Sequence, residues 1–259
     1  MIHKFSHIDK AALIGKNVSI GPFCSIGKNV KIGDNCKLLG HISIDGNVTI
    51  GENTEIFPFA SIGSIPQDLK YKGEISSVKI GKNCKIREYV TVNLGTKGGG
   101  GITSVGDNCL LMIGTHIAHD CLIGNNVIFA NHSTLAGHVV VQDNVVVGAL
   151  SAIHQFSRIG QGAMIGGMSG VTADVVPFAT VVGNRTKLSG LNILGLKRRN
   201  IKKKEIMELR KTFKYLFYSQ KETFKERIHK IKEKTNIEII KIMIEFLSHE
   251  SDRSYCMPD

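Results

Sequence analysis

The segment His116-Ile-Ala-His-Asp-Cys121 sets two imidazoles three residues apart and follows the second directly with a carboxylate and a thiol. Imidazole can take up a proton, donate one or ligate a transition metal near neutral pH. Three readings fit: a zinc ligand pair, a general base beside an acid, or two unrelated histidines at a strand turn. Spacing leaves all three open, so the choice falls to the elements that hold the segment.

Those elements form a repeat. An aliphatic residue returns every six positions from Ile8 through Ile14, Ile20, Ile26, Ile32, Leu38, Ile44, Ile50 and Ile56 to Ile62, resumes in phase at Ile80, Ile86 and Val92, slips once, and runs on from Val105 to Val171 with Phe129 as its aromatic exception. A period of six suits neither a helix nor a simple strand but fits a short strand plus a turn wound around a three-sided prism. The residue two places before each aliphatic also faces the interior and is small or slender: Val18, Cys24, Val30, Cys36, Thr54, Ala60, Cys84, Cys109, Cys121, Ser133, Ser151 and Ala163. Five of the six cysteines are thereby core filler. Glycines after the aliphatics, and Asn in the KN, DN and EN pairs, suit the left-handed backbone of tight corners.

If eighteen residues make one coil, Gly137 and then Gln155 stack over His119, with His138 and His154 as their chain neighbours and Asn93 just below. None of these sits at an inward position, and together they make a polar file along one edge. His3, His7, His41, His229 and His249 read as ordinary surface histidines. Two segments interrupt the hexads, 64–78 and 94–103, and both read as loops projecting from the prism.

The expected fold is mainly β: a left-handed parallel β-helix of hexapeptide repeats over residues 1–190, with a C-terminal α-helical appendage over 191–259. In the appendage, Ile206, Leu209, Phe213, Leu216 and Phe217 follow helical spacing, as do Ile240, Met243, Ile244 and Leu247, and Ser219 with Glu222 reads as a capping box between them. Residues 197–259 hold 17 Lys and Arg against 10 Asp and Glu, so most of the +11 formal charge lies there. That suits an acidic partner; no interleaved aromatics or nucleic-acid motif accompany the basic run, and no nucleic acid is expected. No run of about 18 apolar residues and no signal-peptide pattern occur, and no C-x-x-C pair does either. A cytoplasmic protein without a transmembrane segment is expected.

The hexads resemble those of the hexapeptide acyltransferases. With QDLKY at 67–71, IAHDC at 117–121, LAGH at 135–138, HQF at 154–156 and GLKRR at 195–199, the chain closely resembles the UDP-N-acetylglucosamine acyltransferase family of lipid A biosynthesis. That resemblance implies transfer of a 3-hydroxyacyl chain from acyl carrier protein to the 3-hydroxyl of UDP-N-acetylglucosamine, in clefts between the subunits of a homotrimer. It implies no cofactor beyond the phosphopantetheine thioester of the carrier protein. It makes His119 the general base, Asp120 the acid that orients it, and the Gly137 N–H the donor to the thioester oxygen. Sugar and acyl contacts carry over to Gln67, Asp68, Lys70, Asn93, His116, His138, His154 and Gln155. Asn192, Arg198 and Arg199 correspond to residues near the nucleotide and the carrier protein, and Gly167 and Arg185 to the end of the acyl groove. Asn93, Leu194 and Arg185 depart from the family pattern, which often has histidine, an acid and histidine there. The β-helix carbonic anhydrases also bring histidines together, around zinc, but the spacing of His116 and His119 differs from theirs and no metal is expected. A UDP-3-amino sugar as acceptor, and a non-catalytic β-helix scaffold, are the alternative readings.

Overall fold

A computed structural model describes residues 1–258. Between His7 and Val171 the chain runs through two- to four-residue strands that join three sheets in strict rotation, after which Ala179–Val182 and Lys187–Leu191 both extend the third sheet, the last of them antiparallel. The first sheet starts at His7–Ile8, the second at Leu13–Ile14 and the third at Ser19–Ile20. Each strand pairs in parallel with the one a full coil later, as His116↔Thr134 and Ile117↔Leu135 do in the first sheet. The expected β-helix is therefore present. Its interior is a column of the hexad aliphatics from Ile20 to Val171, nearly all under 5 % exposed, with the slender residues between them.

The corners explain why six residues are required. Four residues join most consecutive strands, and the third of them nearly always adopts a positive φ, the corner after His7–Ile8 being an exception. At the corner between the second and third sheets that residue is Asn17, Asn35, Asn53, Asn83, Asn108, Asn126 and Asn144, all with φ between 55° and 61°. The asparagines thus fill the left-handed role, as expected. Most glycines that follow the aliphatics do not, Gly63 with φ 83° excepted: Gly51 has an ordinary φ, and it is glycine because a Cβ there would lie 2.6 Å from the Gly81 carbonyl carbon of the next coil. Close approach of stacked backbones, not backbone handedness, demands them.

Both interruptions leave from the corner between the first and second sheets, between the Ser61–Ser64 and Ser77–Ile80 strands and between Thr91–Asn93 and Ile102–Val105. The first projects, with Leu69 and Ile75 almost wholly exposed. The second folds back: Thr96 is buried, and a 3₁₀ turn at Lys97–Gly99 packs against the corner above.

Among the described residues four helices follow: α1 (Ile193–Arg198), α2 (Lys203–Tyr218), α3 (Phe224–Lys234) and α4 (Glu238–Ser248). The apolar positions expected for α2 and α4 are buried. The cap differs from expectation. Ser219 ends α2, and the capping box of α3 is Thr223 with Glu226, whose oxygen accepts from the Thr223 N–H at 2.8 Å. After α4 the chain is extended and returns to the prism, where Asp174 N donates to Ser254 O and Cys256 N to Asp174 O, each at 2.8 Å. The buried Asp174 carboxylate also accepts from Arg158 N, Arg158 Nε and Ser251 Oγ, each at 2.7 Å. A buried charge held by three donors ties the appendage to the upper coils.

Candidate active site

His119 and Asp120 are the second and third residues of a corner between the first and second sheets, one coil above the folded-back loop. Asp120 takes the left-handed conformation at φ 59°, and its carboxylate is buried. Such a charge needs partners, and every one comes from close by. Oδ1 accepts from Thr96 N at 2.8 Å; Oδ2 accepts from Thr96 Oγ1 at 2.6 Å and from His119 Nδ1 at 2.8 Å. The Asp120 N–H donates to Thr103 Oγ1 at 2.8 Å. Because an ionised carboxylate only accepts, the His119 proton sits on Nδ1 and the lone pair on Nε2. Cys121 points into the column, where burial pushes its thiol up to about 12, so it takes no part.

One coil up, Gly137 faces that ring. A Cβ on Gly137 would lie 2.7 Å from His119 Nε2 and 2.5 Å from Cε1, so the residue must be glycine for the imidazole to stand where it does. Its neighbours in chain are committed, with His138 N donating to His119 O at 3.0 Å and Ala136 N to Ile153 O. The Gly137 N–H has no protein acceptor among the described residues. His138 meets His119 edge-on at 5.0 Å between centroids and stacks on Phe156 at 4.5 Å. Burial holds the His138 and His116 imidazoles below their ordinary range, His119 adding to the effect on His116, which keeps both neutral near pH 7. His116 Nδ1 lies 2.7 Å from Thr91 Oγ1.

Three cavities meet this corner. A cleft of about 570 Å³ on the face of the first sheet brings together Gln67, His116, His119, Gly137, His154 and Gln155 over a floor of small residues, Thr134, Ala152 and Gly170. A second, of about 960 Å³, lies between the loops and joins Asp68 and Lys70 to His138 and Phe156. A third, of about 780 Å³, continues from His138 and Phe156 beneath the appendage to Arg158, Lys225 and Arg253.

The other candidates lie elsewhere. Asn93 is not on the polar edge: it is 4 % exposed, its Nδ2 donates to Ile65 O at 3.2 Å, and it anchors the base of the first loop. The strand shifts register between Ile62 and Ser64, which pairs Asn93 with Ser64 and turns it inward. Gly167 belongs to the corner between the third and first sheets, beside Ala149, and Arg185 is exposed in the turn after Ala179–Val182. Asn192 caps α1, accepting from Gly195 N at 2.9 Å and donating to Gly162 O at 3.1 Å. Arg199 is half-buried over Phe178, with burial drawing its pKa down, whereas Arg198 is exposed. Gly167, Arg185, Asn192, Arg198 and Arg199 do not line the cleft that holds His119.

The imidazoles of His119 and His138 and an Asp120 oxygen lie within 4.8 Å of one another, a spacing compatible with a metal ion. Both Asp120 oxygens, however, are already engaged by Thr96 and His119, so coordination there would dismantle the cage.

Sequence reasoning missed Thr96 and Thr103, which hold Asp120, and Phe156, which stacks on His138. The signal for Thr96 was the interruption itself, since the hexads break in the coil directly beneath His119.

A family profile described as Udp N-acetylglucosamine O-acyltransferase, Domain 2, matches residues 174–256, and one for bacterial transferase hexapeptides matches residues 11–41, 23–58 and 102–137. The chain is 43 % identical over 259 residues to the acyl-[acyl-carrier-protein]–UDP-N-acetylglucosamine O-acyltransferase of Bartonella henselae, covering 99 % of this chain and 94 % of the relative. It is 47 % identical over 203 residues to the Paracoccus denitrificans protein of the same name, covering 78 % and 77 %. Among solved structures it is similar to UDP-N-acetylglucosamine acyltransferase from Campylobacter jejuni, with a TM-score of 0.95 at 41 % identity and 100 % of both chains covered.

Proposed function

The chain belongs to the UDP-N-acetylglucosamine O-acyltransferase family, and on that premise we propose that His119 is the general base of its acyl transfer. It is an acyl-[acyl-carrier-protein]–UDP-N-acetylglucosamine O-acyltransferase, the enzyme of the first step of lipid A biosynthesis. As the acceptor 3-hydroxyl attacks the thioester carbon, His119 Nε2 takes its proton. The carbonyl oxygen gains charge and accepts from the Gly137 N–H; collapse breaks the C–S bond, and the departing thiolate of the phosphopantetheine recovers the proton from Nε2. Asp120 holds the ring and stabilises the imidazolium, a role supported by its cage of Thr96 and Thr103. A positioned base contributes roughly 10² to 10⁴ in rate, and a fixed donor at the oxyanion a comparable amount. The observation that carries the reading is the Nδ1 bond to Asp120 at 2.8 Å, which leaves the Nε2 lone pair facing the Gly137 side of the cleft.

In this reading Gln67, His116, His154 and Gln155 line the acceptor's cleft, while Asp68, Lys70 and His138 border the adjoining cavity. A homotrimer completes the site. The first sheet turns Thr134, Ala152 and Gly170 outward, whereas the third turns out Leu110, Ile128, Val146 and Met164. An apolar face on one copy matches a small-residue face on the next, and it would carry Asn192, Arg198, Arg199, Gly167 and Arg185 of a neighbour toward the cleft. The exposed Leu69 and Ile75 of the first loop suit the same cover. The exposed lysines and arginines of α1 and α2 suit docking of an acidic carrier protein.

No helix among the described residues is long and apolar enough to cross a membrane. Six unpaired cysteines support action in the reducing cytoplasm. A UDP-sugar with a 3-amine is the second acceptor to test, since Leu194, where the family resemblance implies an acid, is exposed on α1. Purified protein is incubated with 3-hydroxyacyl carrier protein and either UDP sugar, and the product is read by mass spectrometry. An ester on UDP-N-acetylglucosamine is expected; acylation of the amine alone would overturn the acceptor assignment.

A further inference from the structure

His154 and His119 line one cleft, but their second partners differ in kind. His119 Nδ1–H donates a hydrogen bond to a carboxylate, whereas His154 Nδ1 lies 2.9 Å from Nη2 of Arg253. A guanidinium has five N–H groups, no acceptor, and does not lose its proton. At that distance the nitrogen it meets must be a bare acceptor, so the neutral ring carries its hydrogen on Nε2. The competing arrangement has Nδ1–H donating to Gln155 O at 3.3 Å. It would set two N–H groups against each other and make the ring share a carbonyl already taken by Arg253 Nε at 3.1 Å. The cationic pair wins, since a hydrogen bond from an ionised donor is worth about twice a neutral one.

Arg253 is held where it can do this. It lies in the extended segment after α4, between Ser251, which donates to Asp174 at 2.7 Å, and Ser254, whose carbonyl accepts from Asp174 N. Asp174 is itself fully buried and gripped by Arg158. The guanidinium thus reaches from the groove beneath the appendage to the rim of the cleft that holds His119 and Gly137.

We propose that Arg253 is a positioning residue that fixes His154 as an Nε2–H donor, so that this imidazole offers a hydrogen to an oxygen of the acceptor sugar while His119, set the opposite way by Asp120, offers a lone pair. Nε2 of His154 has no protein acceptor among the described residues, which leaves it for ligand. The proposal rests on the cleft being the acceptor site.

The test uses full-length protein labelled with nitrogen-15 histidine, which reports which ring nitrogen carries the proton, alongside steady-state kinetics. In the wild type the His154 signals are expected to show a protonated Nε2 and a bare Nδ1. In Arg253→Gln the two tautomers mix, and KM for UDP-N-acetylglucosamine rises about tenfold, the worth of one well-placed hydrogen bond, with kcat changing less; Arg253→Lys, which keeps a cationic donor, recovers part of the loss. Lys225→Ala, which removes another cation of the groove beneath the appendage without touching Arg253 or His154, is expected to leave the tautomer and KM near wild type. Unchanged His154 signals in Arg253→Gln, or the same KM rise in Lys225→Ala, overturn the proposal. A wild-type enzyme that ignores UDP-N-acetylglucosamine would instead refute the acceptor reading while leaving the tautomer result standing.

Discussion

Substituting alanine for Gly137 adds one methyl group, and the three nearest atoms it would meet all belong to the His119 ring, the closest at 2.5 Å. Carbon atoms attract best at about 3.5 to 4.0 Å, so the ring has to retreat by roughly 1 Å. It cannot do so freely, because Nδ1 is tied to a carboxylate that is itself caged. Gly137 has no left-handed φ, so alanine suits its backbone and the fold survives. A displacement of about 1 Å at a reacting group costs on the order of 100-fold in rate, or about 2.7 kcal/mol in the barrier. We therefore expect Gly137→Ala to lower kcat about 100-fold in a carrier-protein transfer assay, with KM for UDP-N-acetylglucosamine changing far less and the melting temperature near wild type. Wild-type kcat in a folded Gly137→Ala protein would refute the claim that this glycine exists to seat His119.

Thr96→Val keeps the backbone donor to Asp120 but deletes the Oγ1 bond; it should cost about 1–3 kcal/mol in urea unfolding and lower kcat, with Thr96→Ser restoring both. Burial depresses the His116 and His138 pKa values below the ordinary 6.5, so on acidification the unfolded chain takes up protons before the folded one. The stability they contribute is complete above about pH 6.5 and is lost as the pH falls below it; His116→Gln should flatten the decline in urea midpoint between pH 7 and pH 5. Arg198→Ala or Lys203→Ala should raise KM for the carrier-protein donor, more at low salt than at high, and leave KM for a free pantetheine thioester unchanged.

Much of this site could be read before any coordinates because the β-helix turns chain distance into spatial distance by simple addition. Eighteen residues bring Gly137 over His119, and the seven extra residues of the second interruption set His116 beside Thr91. Addition fails wherever the chain leaves the helix. Asn93 sits at such a departure, where a register shift turned an expected cleft residue into a buried anchor. Thr96 lies inside a loop whose return path no periodicity describes. Arg253 reaches Gln155 across 98 residues because Asp174 captures the tail through the Ser251 hydroxyl and two backbone hydrogen bonds, contacts invisible in hexads. The cap of α3 went to Thr223 and not to Ser219 because the turn between α2 and α3 is longer than helical spacing alone suggests.

If His119 Nε2 removes the acceptor proton, losing that imidazole must slow the transfer step itself. His119→Gln protein, with its oligomeric state matched to wild type by light scattering, is assayed by single turnover with 3-hydroxyacyl carrier protein and UDP-N-acetylglucosamine. The account predicts a transfer rate lower by about 10² to 10⁴ with acceptor binding retained, and a rate within a few-fold of wild type would contradict it.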